Sequence, residues 1–247
     1  MGGSRLYRVS AVVIRQRNLG EADRVLTLLT RENGKISAVA RGVKKARSKL
    51  APSLQLFAQA RMQLAVGRSL DVITSAHPVD LYYHLREDVQ RYAYASYVAE
   101  LADALLEEGG PDESVFTLLV ATLKALDGGA DAATVTLGFE IKLLTRLGYG
   151  PEVAACVSCG RQVEGRGAGF SAAEGGVMCA KCRRAEGAKE LSGAGLRGLR
   201  ELLAIPQEEV AGRKLAARVR QELQSMMRAF VDYRVDRPLR SAAFLGP

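Results

Sequence analysis

The chain has 247 residues, of which 48% are hydrophobic and 25% charged, as is ordinary for a soluble globular protein. No apolar run approaches the ~20 residues that span a bilayer, and Met1 to Arg8 lacks the apolar stretch of a signal peptide, which argues against membrane and secreted proteins. We therefore expect a cytoplasmic protein of two or three modules, in which cysteines are more often metal ligands or catalytic groups than disulfides.

Positive charge is concentrated near the N-terminus. The formal net charge is +8, and residues 1–50 hold 12 Lys or Arg against 3 Asp or Glu. Residues 51–150 are acidic instead, with 7 basic residues against 13 acidic ones. A segregated positive field raises the local concentration of polyanions. The asymmetry therefore favours a polyanionic partner over an evenly solvated surface.

The first 80 residues have the pattern of a small β-barrel. Apolar runs with the appearance of short strands occupy residues 5–15, 23–31, 35–40, 54–66 and 69–76. Asn33-Gly34 lies between two of these runs and is a strong hairpin signal, because a tight turn of the right twist needs positive φ. A second hairpin is expected to turn at Gly67-Arg68. Five short strands predict an OB-fold, although an SH3-like barrel remains possible from the pattern alone.

Beyond the barrel, the apolar period lengthens from two residues to about four, which predicts helices. Helices are expected at residues 85–105, 112–126, 133–147 and, as a long final helix, 215–230. The predicted fold class is α+β and multidomain. Its expected domains are an OB-fold barrel at 1–80, a helical domain formed by 81–150 and 191–240, and a four-cysteine module at 151–190.

The only cysteines, Cys156, Cys159, Cys179 and Cys182, form two Cys-x2-Cys pairs with nineteen residues between them. Two such knuckles can close a tetrahedron around one zinc ion, and four thiolates leave no open coordination position. The alternatives are two disulfides, unliganded thiols or a redox motif, although neither pair lies in the βαβ context that a redox motif needs. We predict one structural Zn²⁺.

Recognisable catalytic arrangements are missing from the sequence. His77 and His84 are the only histidines, and neither has a partner at a known motif spacing. There is no P-loop or Rossmann fingerprint. The paired carboxylates at 107–108 and 112–113 flank a helix–helix turn, where Asp112 and Glu113 would favour the start of a helix. We predict that the protein is not an enzyme.

The sharpest basic cluster is residues 41–49, which suits a mobile loop that follows a phosphate backbone. The candidate DNA-binding residues, in this segment and across the barrel, are Arg15, Arg17, Arg24, Lys35, Arg41, Lys44, Lys45, Arg47 and Lys49. Tyr7 and Phe57 are the only candidates for base stacking, and either could belong to the core. The pattern therefore favours contact with the backbone over strong stacking.

Several of these stretches together resemble the RecO family of bacterial recombination mediators. The residues that carry the resemblance in the N-terminal part are 20–30, 33–36 and 40–45. The four cysteines follow residues 142–149 as they do in zinc-bearing members, and residues 237–245 are similar to the family's C-terminal signature. The resemblance covers essentially the whole chain, in the right order.

The resemblance implies an OB-fold, a helical domain and a zinc module. It implies binding to single- and double-stranded DNA, annealing of complementary strands, and action in the RecF pathway of bacterial DNA repair. RecR and the acidic C-terminal tail of the single-stranded-DNA-binding protein would be partners in loading RecA, in the cytoplasm at the nucleoid. Candidate contacts for the tail are Arg91, Arg218, Arg220 and Arg228.

Three rival functions stay open. A zinc-ribbon, OB-fold transcription or translation factor that binds RNA would share the barrel and the cysteine knuckles. An enzyme with an unrecognised site is disfavoured by the scarcity of histidine and the closed metal site. A scaffold whose basic face meets an acidic protein would bind no DNA even at low salt.

Overall fold

In a computed structural model, residues 5–165, 167–186 and 188–245 are described. The chain forms two compact units, Met1–Asp127 and Gly128–Pro247. The domain limits expected from the sequence remain predictions. No helix in the described ranges has the length and apolar character needed to cross a bilayer.

A closed five-stranded barrel begins the first unit. Its strands are β1 (Leu6–Leu19), β2 (Asp23–Thr30), β3 (Gly34–Ala40), β4 (Gln59–Ala65) and β5 (Asp71–Asp80). They close in the order β1-β2-β3-β5-β4, with β3 and β5 parallel and the other described pairs antiparallel. This Greek-key closure is that of an OB-fold, so the OB-fold prediction is confirmed over the SH3-like alternative.

The two faces of the barrel wall are both buried along β1. Ala11 and Val13 lie in the barrel interior, together with residues such as Leu26 and Met62. The alternating Val12 and Ile14 are outside that interior cluster, yet they are only 0% and 4% exposed. The helix α2 (Val89–Leu105) packs against β1 and covers this outer side.

Among the described residues, three α-helices and a 3-10 helix (Pro52–Leu54) complete the first unit; the α-helices are α1 (His84–Glu87), α2 and α3 (Glu113–Asp127). Asp88 caps α2 by accepting hydrogen bonds from the N–H groups of Gln90 and Arg91. Asp112 accepts from the N–H groups of Ser114 and Val115, as expected for the start of α3.

The turn before β3 lies against the connection between α2 and α3. Gly34 has a φ of +66°, which confirms the turn predicted at Asn33-Gly34. A Cβ atom at Gly34 would lie 2.1 Å from the Gly109 carbonyl oxygen. The Gly109 N–H donates to the Lys35 carbonyl at 2.8 Å, so the barrel and the helices share a backbone bridge.

The second unit surrounds α4 (Ala132–Arg146), whose side chains are buried on nearly every face. The other elements are β6 (Gly169–Ser171), β7 (Gly176–Met178), α5 (Ala180–Glu186), β8 (Lys189–Glu190), α6 (Gly193–Ala204), α7 (Gln207–Val210) and α8 (Ala217–Asp232). The small sheet has the order β7-β6-β8. Helices α6, α7 and α8 pack on α4.

Candidate nucleic-acid interface and metal centre

Most of the predicted DNA-binding residues lie at one end of the barrel, which we call the basic end. It consists of Arg17, Arg24, Arg41, Lys44, Lys45, Arg47 and Lys49. Arg17 and Arg24 flank the turn between β1 and β2, where Arg17 pairs with Val25 and Asn18 with Arg24. Arg41 directly follows Ala40, which pairs with Arg24 on β2. The strand register therefore brings the two parts of the basic end together.

Within the segment 41–49, residues 42–44 are anchored to the barrel. The Gly42 N–H donates to Asp23 Oδ1 at 2.7 Å, and the Lys44 N–H donates to the Ala22 carbonyl at 2.9 Å. Between them, Val43 is buried in the barrel core. One apolar side chain, one hydrogen bond to a carboxylate and one backbone hydrogen bond therefore anchor the start of the segment.

Most cations of the basic end are free to contact an external anion. The side chains of Arg17, Arg41, Lys44, Lys45, Arg47 and Lys49 are exposed. Within the part of the chain that the structure describes, none of these six forms an ion pair with a carboxylate. Arg24 differs, because its Nη1 donates to Gln16 Oε1 at 3.0 Å.

Arg15 and Lys35 lie apart from the basic end and hold an acidic side chain of α2. Arg15 Nη1 lies 3.0 Å from Asp103 Oδ2, and Lys35 Nζ lies 3.4 Å from Asp103 Oδ1. Lys35 Nζ also donates to the Asp103 carbonyl at 2.7 Å. Asp103 is only 7% exposed. Because both cations already contact a carboxylate inside the unit, both residues are weaker candidates for phosphate contact.

The two candidates for base stacking do not offer free rings. Phe57 is fully buried, and its ring meets that of Tyr92 edge-on with centroids 5.4 Å apart. The Tyr7 hydroxyl donates to Asp71 Oδ2. Burial and the Asp71 carboxylate raise the pKa of Tyr7. Contact through the basic end would therefore be with the phosphate backbone.

The four cysteines converge in the second unit. Their sulfur atoms all lie within 4.8 Å of one another, and the Cys159 and Cys179 sulfurs are 3.8 Å apart. A tetrahedron with Zn–S bonds near 2.3 Å has sulfur–sulfur edges of about 3.8 Å. A disulfide would need about 2.05 Å, and all four cysteines are free. This set of donors fits a metal ion.

Local backbone structure explains how each pair reaches the centre. After the first pair, Gly160 has a φ of +72° and its N–H donates to the Cys156 carbonyl at 2.8 Å, which tightens the knuckle. The second pair uses a helix start: α5 begins directly after Cys179, and the Arg183 N–H donates to the Cys179 carbonyl at 2.9 Å. Cys182 thus lies on the first turn of α5.

The surroundings of the cysteine cluster lower the pKa of Cys156 and raise that of Cys182. Burial raises the pKa of Cys156, but N–H groups of Cys179, Cys159 and Ser158 outweigh it and lower that pKa to about 6. For Cys182, Ser158 lowers the pKa, whereas the thiols of Cys159 and Cys179 raise it, with a net result of about 11. Full ionisation of the cluster therefore needs a cation, as metal binding supplies.

An arginine of α6 supports the first knuckle. Arg200 Nε donates to the Val153 carbonyl at 2.9 Å, and its Nη2 donates to the Val163 carbonyl at 2.7 Å. The small sheet is held as well, because Phe170 of β6 packs edge-on against Phe230 of α8 at 5.4 Å.

The residues proposed for binding an acidic tail differ in their availability. Arg91 lies 3.6 Å from Asp88, Arg220 lies 3.2 Å from Asp131, and Arg228 lies 3.2 Å from Asp232. Arg218 is exposed and has no ion pair among the described residues.

His84 lies 3.3 Å from Asp127, in a contact within the first unit.

Sequence reasoning missed Asp103 and Arg200. Asp103 gave one signal: it lies in an apolar stretch of α2, beside Leu101 and Ala102, where a carboxylate needs a partner. Arg200 gave none, because its carbonyl partners are 37 and 47 residues away in the chain.

Comparisons with known proteins agree with this architecture. The description "Recombination protein O N terminal" matches residues 4–82, and "Recombination protein O C terminal" matches residues 86–243. The "DNA repair protein RecO" of Symbiobacterium thermophilum is 39% identical over 244 residues, covering 97% of this chain and 96% of the relative. Proteins of the same name from Roseiflexus sp. and Pelotomaculum thermopropionicum are 37% and 38% identical, covering 98% of this chain and 85% and 94% of theirs. The chain belongs to the RecO family.

Proposed function

We propose that the chain is a DNA-binding mediator of recombinational DNA repair that anneals complementary single strands. The observation that carries this proposal is the basic end, whose exposed cations have no acidic partner among the described residues and lie beside the β1–β2 turn of an OB-fold. OB-folds bind oligonucleotides with strands 2 and 3 and the adjoining loops. The names of the relatives point to DNA repair.

The mechanism is electrostatic and non-catalytic. Lysine and arginine at the basic end replace the counterions of a DNA strand, which lowers the repulsion between two strands. Base pairing then supplies the free energy of annealing. No proton transfer or covalent step is required, so the protein acts without being an enzyme.

The proposed partners are those that the resemblance to the RecO family implies. RecR and the acidic tail of the single-stranded-DNA-binding protein would bring the chain to coated DNA and help to load RecA, in the bacterial cytoplasm at the nucleoid. An acidic tail requires exposed cations, and Arg218 of α8 is one that carries no ion pair among the described residues.

Charge reversal tests the role of the basic end. We expect Lys44→Glu/Lys45→Glu/Arg47→Glu to weaken binding of single-stranded DNA and to slow annealing. Three phosphate contacts on a single strand correspond to a slope of log K against log salt that is shallower by about 2. Fluorescence anisotropy over a salt series measures both effects.

The matched control is Arg5→Glu/Lys124→Glu/Lys214→Glu, which makes the same charge change at exposed positions outside the basic end. If the two triple variants bind alike, the basic end is not the site. Competition between DNA and RNA of equal length separates this function from that of an RNA-binding factor: preferential retention of RNA, with no annealing activity, contradicts the proposal.

We also propose that the ion held by Cys156, Cys159, Cys179 and Cys182 is a single Zn²⁺. Four thiolates complete its coordination, so the ion would stabilise the module and would not activate water. The 3.8 Å separation of the Cys159 and Cys179 sulfurs supports this assignment.

A further inference from the structure

A second group of polar and basic side chains lies on the outer wall of the barrel, away from the basic end. Strands β1, β4 and β5 are paired so that their outward side chains form two rows across the sheet. We call this surface the three-strand face; its rows are Ser10, Arg61 and His77, and Arg8, Gln63 and Ser75. The intervening residues, such as Val9 and Met62, lie in the barrel interior.

The three-strand face is concave and open. Its side chains line a hollow of about 330 Å³, with Glu32 among the lining residues. Arg8, Arg61 and His77 are exposed, and neither arginine forms an ion pair within the described ranges. The Glu32 carboxylate accepts a hydrogen bond from the Ser10 N–H at 2.8 Å. The hollow is therefore lined by one carboxylate, that of Glu32, and by the two guanidinium groups of Arg8 and Arg61, which form no ion pair within the described ranges.

The chemistry of this hollow fits phosphodiester groups. Guanidinium groups bind phosphate oxygens in a bidentate manner, and the amide of Gln63 and the hydroxyls of Ser10 and Ser75 add neutral donors. Of the residues that line the hollow, only His77 carries an aromatic ring, and no Phe, Tyr or Trp is among them, so bases have little on which to stack. Such a surface would hold the backbone of a strand without reading its sequence, which leaves the bases free to pair.

We propose that the three-strand face binds the phosphate backbone of a second nucleic-acid strand while the basic end holds the first. The inference rests on the proposed function, because it assigns the second strand of the annealing reaction. Arg8 precedes Arg17 by nine residues on β1, which is up to about 30 Å along an extended strand. The two surfaces can therefore engage different strands on one barrel.

The test uses the full chain and two labelled strands that are not complementary, so that base pairing cannot bring them together. The protein is first bound to a donor-labelled strand, and an acceptor-labelled strand is then titrated while energy transfer is recorded. The variant is Arg8→Gln/Arg61→Gln. Its matched control is Arg5→Gln/Lys124→Gln, which removes two exposed cations of the same unit outside both surfaces.

We expect Arg8→Gln/Arg61→Gln to keep first-strand affinity within about twofold, since the basic end carries that contact. Affinity for the second strand should fall by about tenfold or more, because charge-assisted hydrogen bonds are lost. The salt slope of second-strand binding should become shallower by about 1.4, the value for two contacts on a single strand. Thermal unfolding midpoints that match the control show that the fold is intact.

Each other outcome overturns the inference in a distinguishable way. A wild-type protein that binds no strand at low salt contradicts the proposed function as well. If the wild type binds both strands and the variant binds the second as the control does, only the inference fails. Equal weakening of both strands means one continuous site instead of two. Loss of polyglutamate binding without loss of the second strand would identify a surface for an acidic protein.

Discussion

Individual cations have contrasting environments in this molecule. Lys44 and Lys45 are exposed, whereas Lys142 on α4 is only 6% exposed. Lys142 Nζ donates to the Leu202 carbonyl at 2.6 Å, near the C-terminal end of α6, where the helix dipole favours a positive charge. Burial nevertheless lowers the pKa of Lys142 from its ordinary 10.5 to about 8. Burial of the charged ammonium group therefore lowers the free energy of unfolding.

We predict a pH-dependent difference between the wild type and Lys142→Met. Below pH 8, Lys142 is protonated in both the folded and unfolded states, so the cost of burying the charge is fully present. Between pH 8 and about 10.5 the folded state loses its proton first, and the wild type should gain stability relative to the variant as pH rises.

Urea unfolding of both proteins at pH 7.5 and 9.5 measures this change. The exposed Lys124→Met serves as the control and should show no such trend relative to the wild type. A difference between wild type and Lys142→Met that is the same at both pH values would mean that this lysine titrates normally.

At the scale of elements, Asp103 links three parts of the first unit. Its carboxylate on α2 contacts Arg15 of β1 and Lys35 of β3. The Lys35 side chain is 11% exposed and that of Arg15 is 38% exposed. Solvent therefore screens the contact between Asp103 and Arg15 more than the contact between Asp103 and Lys35. The contact with Lys35 should therefore dominate.

Substitution of Asp103 by Asn should lower the free energy of unfolding by about 2–3 kcal/mol, because Lys35 would remain buried without its counter-charge. Arg15→Gln removes only the more exposed contact and should cost about 1 kcal/mol or less. Urea unfolding monitored by circular dichroism gives both values. Equal, small losses in the two variants would mean that the carboxylate contributes little to joining α2 to the barrel.

The elements that the sequence predicts well are those with a clear local pattern. The strands around Asn33-Gly34 and the helix after Asp112 follow from turn and capping chemistry, and both are confirmed. Helix α6 was not predicted, because Gly193, Gly195 and Gly198 weaken its intrinsic helical propensity. It packs closely at these glycines: a Cβ atom at Gly195 would lie 2.5 Å from the Glu222 carboxylate.

The residues of the candidate sites also differ in whether a local sequence pattern indicates them. The exposed cations of 41–49 are local in sequence, so charge density alone indicates them. The pairing of Lys35 with Asp103 spans 68 positions and depends on how α2 packs. The three-strand face depends on the register of three strands, which sets Arg61 beside both Ser10 and His77. Strand runs alone do not fix that register.

At the scale of the whole molecule, the proposed DNA-binding site and the proposed zinc site lie in different compact units. The basic end belongs to the unit that ends at Asp127, and the cysteine cluster belongs to the unit that begins at Gly128. Each unit also has its own buried core. Loss of the metal should therefore affect DNA binding only weakly.

We expect the purified chain to hold about one equivalent of Zn²⁺ and Cys156→Ser to lose most of it, since structural sites need all four ligands. Hydrogen exchange should then increase across residues 152–186, while affinity for single-stranded DNA stays within about twofold. Lys181→Gln, an exposed neighbour on α5 that is not a ligand, is the control. A wild type with less than about half an equivalent of zinc and four free thiols contradicts the assignment.

The cover that α2 places over Val12 and Ile14 has a consequence for synthesis of the chain. The last barrel strand ends at Asp80, but α2, which covers the outer apolar side, ends only at Leu105. At translation rates of about 5–20 residues per second, those further 25 positions take roughly 1–5 s to emerge. During that interval a barrel that has closed on the ribosome presents an apolar wall to its surroundings, and this is when the nascent protein most needs a chaperone.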